Sequence, residues 1–268
     1  AISNSQFSYQ IMDGLKFRTT FGIDYINANV HSYESPEHGG GLAENGTSYM
    51  TNSRTFNWTT QNNLEYDLTL GDNEHFISVL LSQRFQKNKF LTNYSYGENV
   101  AAMGLIYPSS FGTNQESAGS FSDWKALSYL ALVNYSYKDK YIVDLSYRND
   151  GSSRFAADYR FGNFYSAGVA WNMSNENFLA ESDVVDNLKL RASYGESGNN
   201  AVGLNQYQAL FSYSGSYDDN GTIVPSSFSN PIISWETAKL TDVGVDFGLF
   251  GNRLSGAVNY YIKDTEGL

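Results

Sequence analysis

Apolar and polar residues alternate with period two along most of this chain, in one segment after another. From Leu15 the odd positions read Leu15, Phe17, Thr19, Phe21, Ile23 and Tyr25, and the even ones Lys16, Arg18, Thr20, Gly22 and Asp24. Successive side chains of a strand point to opposite faces, so this spacing predicts a strand with one apolar and one polar side. From Arg54 the phase is even, with Phe56, Trp58, Leu64, Tyr66, Leu68 and Leu70 against Asn57, Gln61, Asn63, Glu65 and Asp67. The rule continues through Leu127–Tyr137, Tyr141–Tyr147, Tyr165–Met173, Leu188–Tyr194 and Val243–Leu249, and it is weakest over Leu254–Lys263. It predicts about ten strands, roughly 4–11, 15–27, 54–70, 75–86, 123–137, 140–149, 162–173, 187–195, 236–249 and 253–264. Most exceed the usual five or six residues.

The links between these segments alternate in length. Short ones lie at Asp13-Gly14, Gly71–Asn73, Lys138–Lys140 and Gly251-Asn252, and long ones at roughly 28–53, 87–122, 150–161 and 196–235. The exception is 174–186, where Ser174-Asn175-Glu176-Asn177 predicts a short helix on the short-link side. Short turns at one rim and long loops at the other are the arrangement of outer-membrane barrels, whereas a soluble sandwich has no reason to sort its links.

Composition sharpens this. Among 268 residues, aromatics reach 16% and charged residues only 17%, with 24 Gly. A typical soluble domain carries roughly 25% charge, so part of this surface is expected to face something other than water. A net charge of -11 argues against a nucleic-acid partner, which needs a basic face. Cysteine is absent, which excludes disulfides and thiolate metal sites. No apolar run approaches the roughly 18 residues of a spanning helix. Ala1–Gln10 show no signal-peptide pattern; an outer-membrane protein needs one, so the expectation is a leader already removed or a chain that begins inside a longer protein.

In lipid every backbone polar group needs a partner within the protein, so a sheet survives there only when closed. A tilted strand needs roughly nine to eleven residues to cross, and most segments are that long. Tyr25, Trp58, Tyr135, Tyr137, Tyr141 and Trp171 fall towards segment ends, as interfacial girdles require. The expected fold is all-β: an antiparallel up-and-down transmembrane barrel section, its polar face lining a water-filled or plugged interior. The competing fold is a soluble β-sandwich, which would bring Phe21, Leu68, Val143 and Val245 into one dry core.

Arg148-Asn149-Asp150-Gly151-Ser152-Ser153-Arg154-Phe155 resembles the RxDGSSRF signature of SusC/RagA-type TonB-linked outer-membrane proteins. Tyr159-Arg160-Phe161-Gly162, Ala167-Gly168-Val169-Ala170-Trp171, Glu176-Asn177-Phe178-Leu179 and Leu188–Gly195 follow in the family's order. So do Gly198-Asn199, Trp235-Glu236-Thr237, Gly244–Gly248, Asn252–Gly256 and Tyr260–Lys263, with Gly14–Arg18 upstream. Each piece is weak, but the ordered set is specific and covers nearly the whole chain. The resemblance implies a 22-stranded barrel in the Gram-negative outer membrane, with an N-terminal plug, a SusD-like surface lipoprotein as lid, and TonB as the source of force. Residues 1–268 would then be an internal barrel section of a longer protein, with plug and remaining strands elsewhere. The function it implies is active import of an oligosaccharide or peptide. A passive porin or adhesin barrel, or a soluble carbohydrate-binding sandwich, are the alternatives.

Single motifs add less. Asp150, Gly151, Ser152, Ser153, Arg154 and Phe155 read as a tight turn tying down a rim loop more readily than as a substrate contact. His31, Glu34, Glu37 and His38 share one Gly-flanked loop, a weak case for a metal site. Asp218-Asp219-Asn220-Gly221 resembles part of a calcium loop but lacks its spaced ligands and terminal Glu, so it reads as a solvated turn, with loop-bound calcium as the alternative. Tyr94, Tyr96, Tyr107, Phe111, Tyr213 and Tyr217 are loop aromatics suited to stacking on a sugar or peptide, or to packing against the lid. Asp242 and Asp246 share a strand face and read as lumen lining. No nucleophile motif or phosphate loop is present, so no enzyme is expected, and no cofactor apart from that alternative calcium.

Overall fold

The computed structural model describes residues 1–179, 181–218 and 220–267. Twelve strands follow one another: β1 (Ile2–Met12), β2 (Leu15–Glu34), β3 (Thr47–Leu70), β4 (His75–Val100), β5 (Phe111–Tyr137), β6 (Tyr141–Ser152), β7 (Phe161–Asn172), β8 (Val185–Asn199), β9 (Leu210–Tyr217), β10 (Asn220–Ser227), β11 (Glu236–Leu249) and β12 (Leu254–Glu266). Ten of them form one sheet in the order β1-β2-β3-β4-β5-β6-β7-β8-β11-β12, while β9 and β10 pair only with each other. Chain order equals sheet order, which is an up-and-down meander. It does not return on itself, since β1 and β12 are both edges.

The ten expected strands are the ten of this sheet. Two expectations need correction. The 196–235 link contains the hairpin β9–β10, where Phe211, Tyr213 and Tyr217 do alternate with Ser212, Ser214 and Ser216, but over only eight residues in a stretch that reads as a Gly-, Asn-, Ser- and Tyr-rich loop. The links at 28–53 and 87–122 are also much shorter than expected, because β2 to β5 run on for 20, 24, 26 and 27 residues. Their far halves pair without the apolar alternation that marks the near halves, so pattern alone ends them early. The short helix expected from Ser174 is a single 3-10 turn over Met173–Asn175.

Turn chemistry explains the tight links. Lys138 and Asp139 both adopt φ of +53°, and the Lys140 amide donates to the Tyr137 carbonyl at 2.9 Å. Two left-handed residues make the turn whose twist matches that of paired strands. At the first hairpin Gly14 has φ of +77°, and a Cβ there would lie 2.2 Å from the Asp67 carbonyl oxygen. Only glycine fits that approach.

The described residues divide into two compact units. The first comprises Ala1–Ser5, Phe21–Thr59 and Gln86–Lys125, and the second Gln6–Thr20, Thr60–Phe85 and Ala126–Leu268. In the second unit, one register line runs Tyr135, Val143, Val169, Ala192, Val243, Tyr260, each directly opposite the next. The adjacent line, on the opposite face, runs Asn134, Asp144, Gly168, Ser193, Asp242, Tyr261. The apolar face is not covered by protein, for Val169 and Val243 are 55% and 52% exposed. Among the described residues the buried apolar side chains are Val100, Phe111, Phe155 and Phe164. Phe21 is exposed and Leu68, Val143 and Val245 are half-buried, so the dry core of a sandwich is absent.

Candidate functional site

At the long-link rim of the second unit, the 148–155 motif closes a small core of its own. Phe155 and Ser152 are completely buried. The Phe155 ring lies 5.1 Å from that of Trp235, which meets Phe164 edge-on at 5.6 Å. Two glycines make room: a Cβ on Gly198 would fall 2.0 Å from the Phe164 ring, and one on Gly162 2.7 Å from it. Polar groups lock the arrangement. Trp235 Nε1 donates to the Arg160 carbonyl at 3.2 Å, Arg154 Nη1 to the Val202 carbonyl at 2.7 Å, and Asn200 Nδ2 to Ser152 Oγ at 3.3 Å. Asp150, nearly buried, takes Arg148 Nε at 2.6 Å. The motif thus fastens the β6–β7 link to the 200–235 link. Trp235 and Phe164 are essential members that no single-residue motif singled out, although Trp235 stands in the ordered set.

In the first unit, His31 Nε2 lies 3.2 Å from Ser48 Oγ and 3.0 Å from the Ile106 carbonyl. Its ring stacks on Tyr107 at 5.8 Å and 8°. Glu34 instead accepts from the Thr47 hydroxyl at 3.3 Å, and the Glu37 amide donates to Ser35 Oγ at 3.2 Å. Among the described residues no three His, Cys, Asp or Glu side chains are grouped for a metal. Three of the expected loop aromatics are placed differently. Tyr94 and Tyr96 lie on β4, half-buried, with Tyr94 5.7 Å from Tyr49. Phe111 is 2% exposed, edge-on to Tyr33, and unavailable to a ligand. The Tyr96 hydroxyl donates to Glu98 at 2.7 Å. That bond to a carboxylate, with partial burial, pushes the phenol up to about 12.

Tyr213 and Tyr217 sit on β9 and are 71% and 79% exposed. Tyr213 is paired with Ile223, and Phe211 with Pro225, so one side of this hairpin is an uncovered apolar strip. At its tip Asp218 adopts φ of +48° and its carbonyl accepts from Asn220 Nδ2. Asp219 of the possible calcium loop lies outside the described residues.

The polar sheet face of the second unit carries ion pairs. Arg191 reaches Asp242 at 3.1 Å and Asp246 at 3.4 Å, and also donates to Asn259. Arg18 pairs with Glu65 at 3.2 Å. On β7 and β8 the small residues Ser166, Gly168, Ser193 and Gly195 leave a depression of about 580 Å³ bordered by Asp144 and Lys263. Asp242 and Asp246 were legible as a pair; Arg191 as their shared partner needed the register.

On the short-link side, Glu176 gathers three donors: Lys140 Nζ at 2.9 Å, the Tyr141 hydroxyl at 2.6 Å and Trp171 Nε1 at 3.2 Å. The Tyr141 bond foremost, then those of Lys140 and Trp171, holds its carboxyl down at about 2. The rings of Tyr137, Tyr141 and Trp171 stack in sequence, 6.3 Å apart at each step.

A meander with an uncovered hydrocarbon face, an ion-paired opposite face, stacked aromatics at the short-turn rim and long links at the other is a section of an outer-membrane β-barrel. The family model described as TonB dependent receptor-like, beta-barrel, matches residues 2–268, and the chain belongs to that family. TonB-dependent receptor P3 of Formosa agariphila is 31% identical over 281 residues, which cover 99% of this chain and 27% of that protein. SusC of Bacteroides thetaiotaomicron, also a TonB-dependent receptor, is 26% identical over 276 residues, covering 98% of this chain and 26% of SusC. The RagAB peptide transporter structure matches with a TM-score of 0.92 at 25% identity, over 98% of this chain and 30% of that one. The ferric citrate transporter FecA shares the fold, with a TM-score of 0.55 at 10% identity. These strands are thus of the SusC/RagA type and reside in the outer membrane, and they span 26% to 30% of those SusC/RagA-type relatives.

Proposed function

We propose that this chain supplies barrel wall and loops to a TonB-dependent importer of oligosaccharides or peptides. The observation that carries the reading is the pair of opposed faces on one meander: half-exposed Val169 and Val243 against Arg191 held by Asp242 and Asp246. A face of fixed, ion-paired charges suits an aqueous interior that a polar solute crosses. The wall has no catalytic part. The moving part is a plug outside residues 1–268, pulled by TonB, and a SusD-like lipoprotein covers the loops. Tyr107, Tyr213 and Tyr217, exposed on those loops, are the proposed contacts with solute or lid; Tyr94 and Tyr96 serve by stiffening β4.

The test is uptake by cells that express the full-length receptor, offered labelled oligosaccharide and peptide ladders in turn. One class is expected to accumulate, and deletion of TonB is expected to abolish it. Accumulation that survives loss of TonB would identify a passive porin instead.

A further inference from the structure

The apolar face of the second unit carries a linked set of polar side chains on β2 to β4. Thr19 stands between Phe17 and Phe21 on its side of β2, and Gln83 between Leu81 and Phe85 on β4. Asn62 lies on the same face of β3, next to Leu64. The three are linked: Thr19 Oγ1 donates to Asn62 Oδ1 at 2.8 Å, and Asn62 Nδ2 to Gln83 Oε1 at 2.9 Å. The relay ends there, because the Gln83 amide nitrogen has no acceptor among the described residues. Polar groups turned towards hydrocarbon are costly and need partners, so an open donor at such a place calls for one.

A shallow groove of about 380 Å³ lies beside this relay. Leu64, Leu81 and Ala131 floor it, Phe17 and Tyr147 close its ends, and Asn62 and Gln83 form part of one wall. It therefore crosses five neighbouring strands, β2 to β6, a length of roughly 19 Å at an interstrand spacing of about 4.8 Å. Along each strand it is two residues wide, about 7 Å at the rise of a strand. An α-helix, roughly 10 Å across, is too thick for it. A single hydrocarbon chain fits both dimensions.

We infer that the groove binds a membrane-lipid acyl chain bearing a hydroxyl part-way along its length, with Gln83 donating to that oxygen. The inference rests on the apolar face being the lipid face. An ester carbonyl does not meet the geometry, since it sits at headgroup depth and the relay is flanked by apolar residues on both sides. A hydroxyl also donates, so it satisfies either orientation of the carboxamides.

The test uses the full-length receptor in nanodiscs of phosphatidylethanolamine, with plain palmitoyl chains or with chains hydroxylated part-way, and counts retained lipids by native mass spectrometry. The wild type is expected to retain the hydroxylated lipid roughly threefold to tenfold better, the factor of one hydrogen bond within a membrane. Asn62→Leu with Gln83→Leu should bring that ratio to one while heat-modifiable migration on gels is kept. Should the double variant fail to insert, Gln83→Met alone carries the test, because Met fills similar volume without a donor. Equal retention of both lipids by the wild type, or an unchanged ratio in the variants, overturns the inference. So does a photoreactive residue at position 83 that crosslinks to protein rather than lipid.

Discussion

The two rims of the second unit are closed by opposite chemistry. At the short-turn rim a single carboxylate, Glu176, collects an ammonium, a phenol and an indole, and the rings around it form a stacked ladder. At the long-link rim Phe155 is removed from solvent against the Trp235 ring, with hydrogen bonds around the edge. The difference follows from link length. A two-residue turn holds itself by backbone geometry and needs only an anchor at the interface. A link of tens of residues must build a core or stay open, and 200–235 does both: Trp235 joins the aromatic cluster, while β9–β10 stands apart from the main sheet.

The comparison breaks most visibly if the aromatic core is removed. Phe155→Ala should cost about 3–5 kcal/mol, the range for deleting a fully buried Phe. In the full-length receptor this reads as loss of the heat-modifiable folded band. Gly198→Val should act alike, because its Cβ would collide with Phe164. If either leaves the folded fraction unchanged, the rim core does not hold the links.

The carboxylate at the other rim makes a pH-dependent prediction. The Glu176 carboxyl lies at about 2 instead of the ordinary 4.5. A depressed folded value means stability that is present above pH 4.5 and lost as pH falls towards 2. The urea midpoint of the wild type should therefore fall over that window while that of Glu176→Gln changes less, so the two curves converge in acid. Parallel curves would show that the three donors do not depend on the charge.

How much of this was legible follows from the same contrast. Wherever hydrocarbon dictates one face, as from Tyr141 to Trp171, alternation gave strand, register phase and face together. Where the alternation lapses, as in the far halves of β2 to β5, nothing in the pattern demanded a strand, and pairing continued regardless. β9 and β10 escaped for another reason: Phe211, Tyr213 and Tyr217 alternate with Ser212, Ser214 and Ser216, but the run is short and its serines and glycines read as loop. Residues 148–155 were readable as a motif, but burial of Phe155 depends on Trp235, eighty positions later, and on two glycines whose missing Cβ atoms matter only in three dimensions. Glu176 looked like a helix opener, because its partners Lys140, Tyr141 and Trp171 meet only after folding.

A smaller effect tests whether the short turns are self-sufficient. Asp139 holds φ of +53°, a region that costs an L-residue roughly 1–2 kcal/mol. Asp139→Gly should relieve most of that and keep the carbonyl that accepts from Asn172 and Asn175. A gain of about 1 kcal/mol in the unfolding free energy is expected. A loss would mean that the Asp139 carboxylate, 3.4 Å from Ser136 Oγ, outweighs the backbone strain.

The smallest expected change in stability belongs to the hairpin, and there it is the informative result. Tyr213 and Tyr217 touch little, so Tyr213→Ala with Tyr217→Ala should move stability by no more than about 0.5 kcal/mol. An isolated two-stranded ribbon is marginal by itself, and exposed aromatics on it gain their worth only from something that binds. Uptake by the full-length receptor should therefore fall several-fold in the double variant while the folded band and the acid response stay as in the wild type. If uptake is untouched, the open strip is idle and selectivity lies deeper, along the wall of Arg191, Asp242 and Asp246. If stability falls instead, the hairpin is a buried part of the assembly and the contrast between the rims is one of degree.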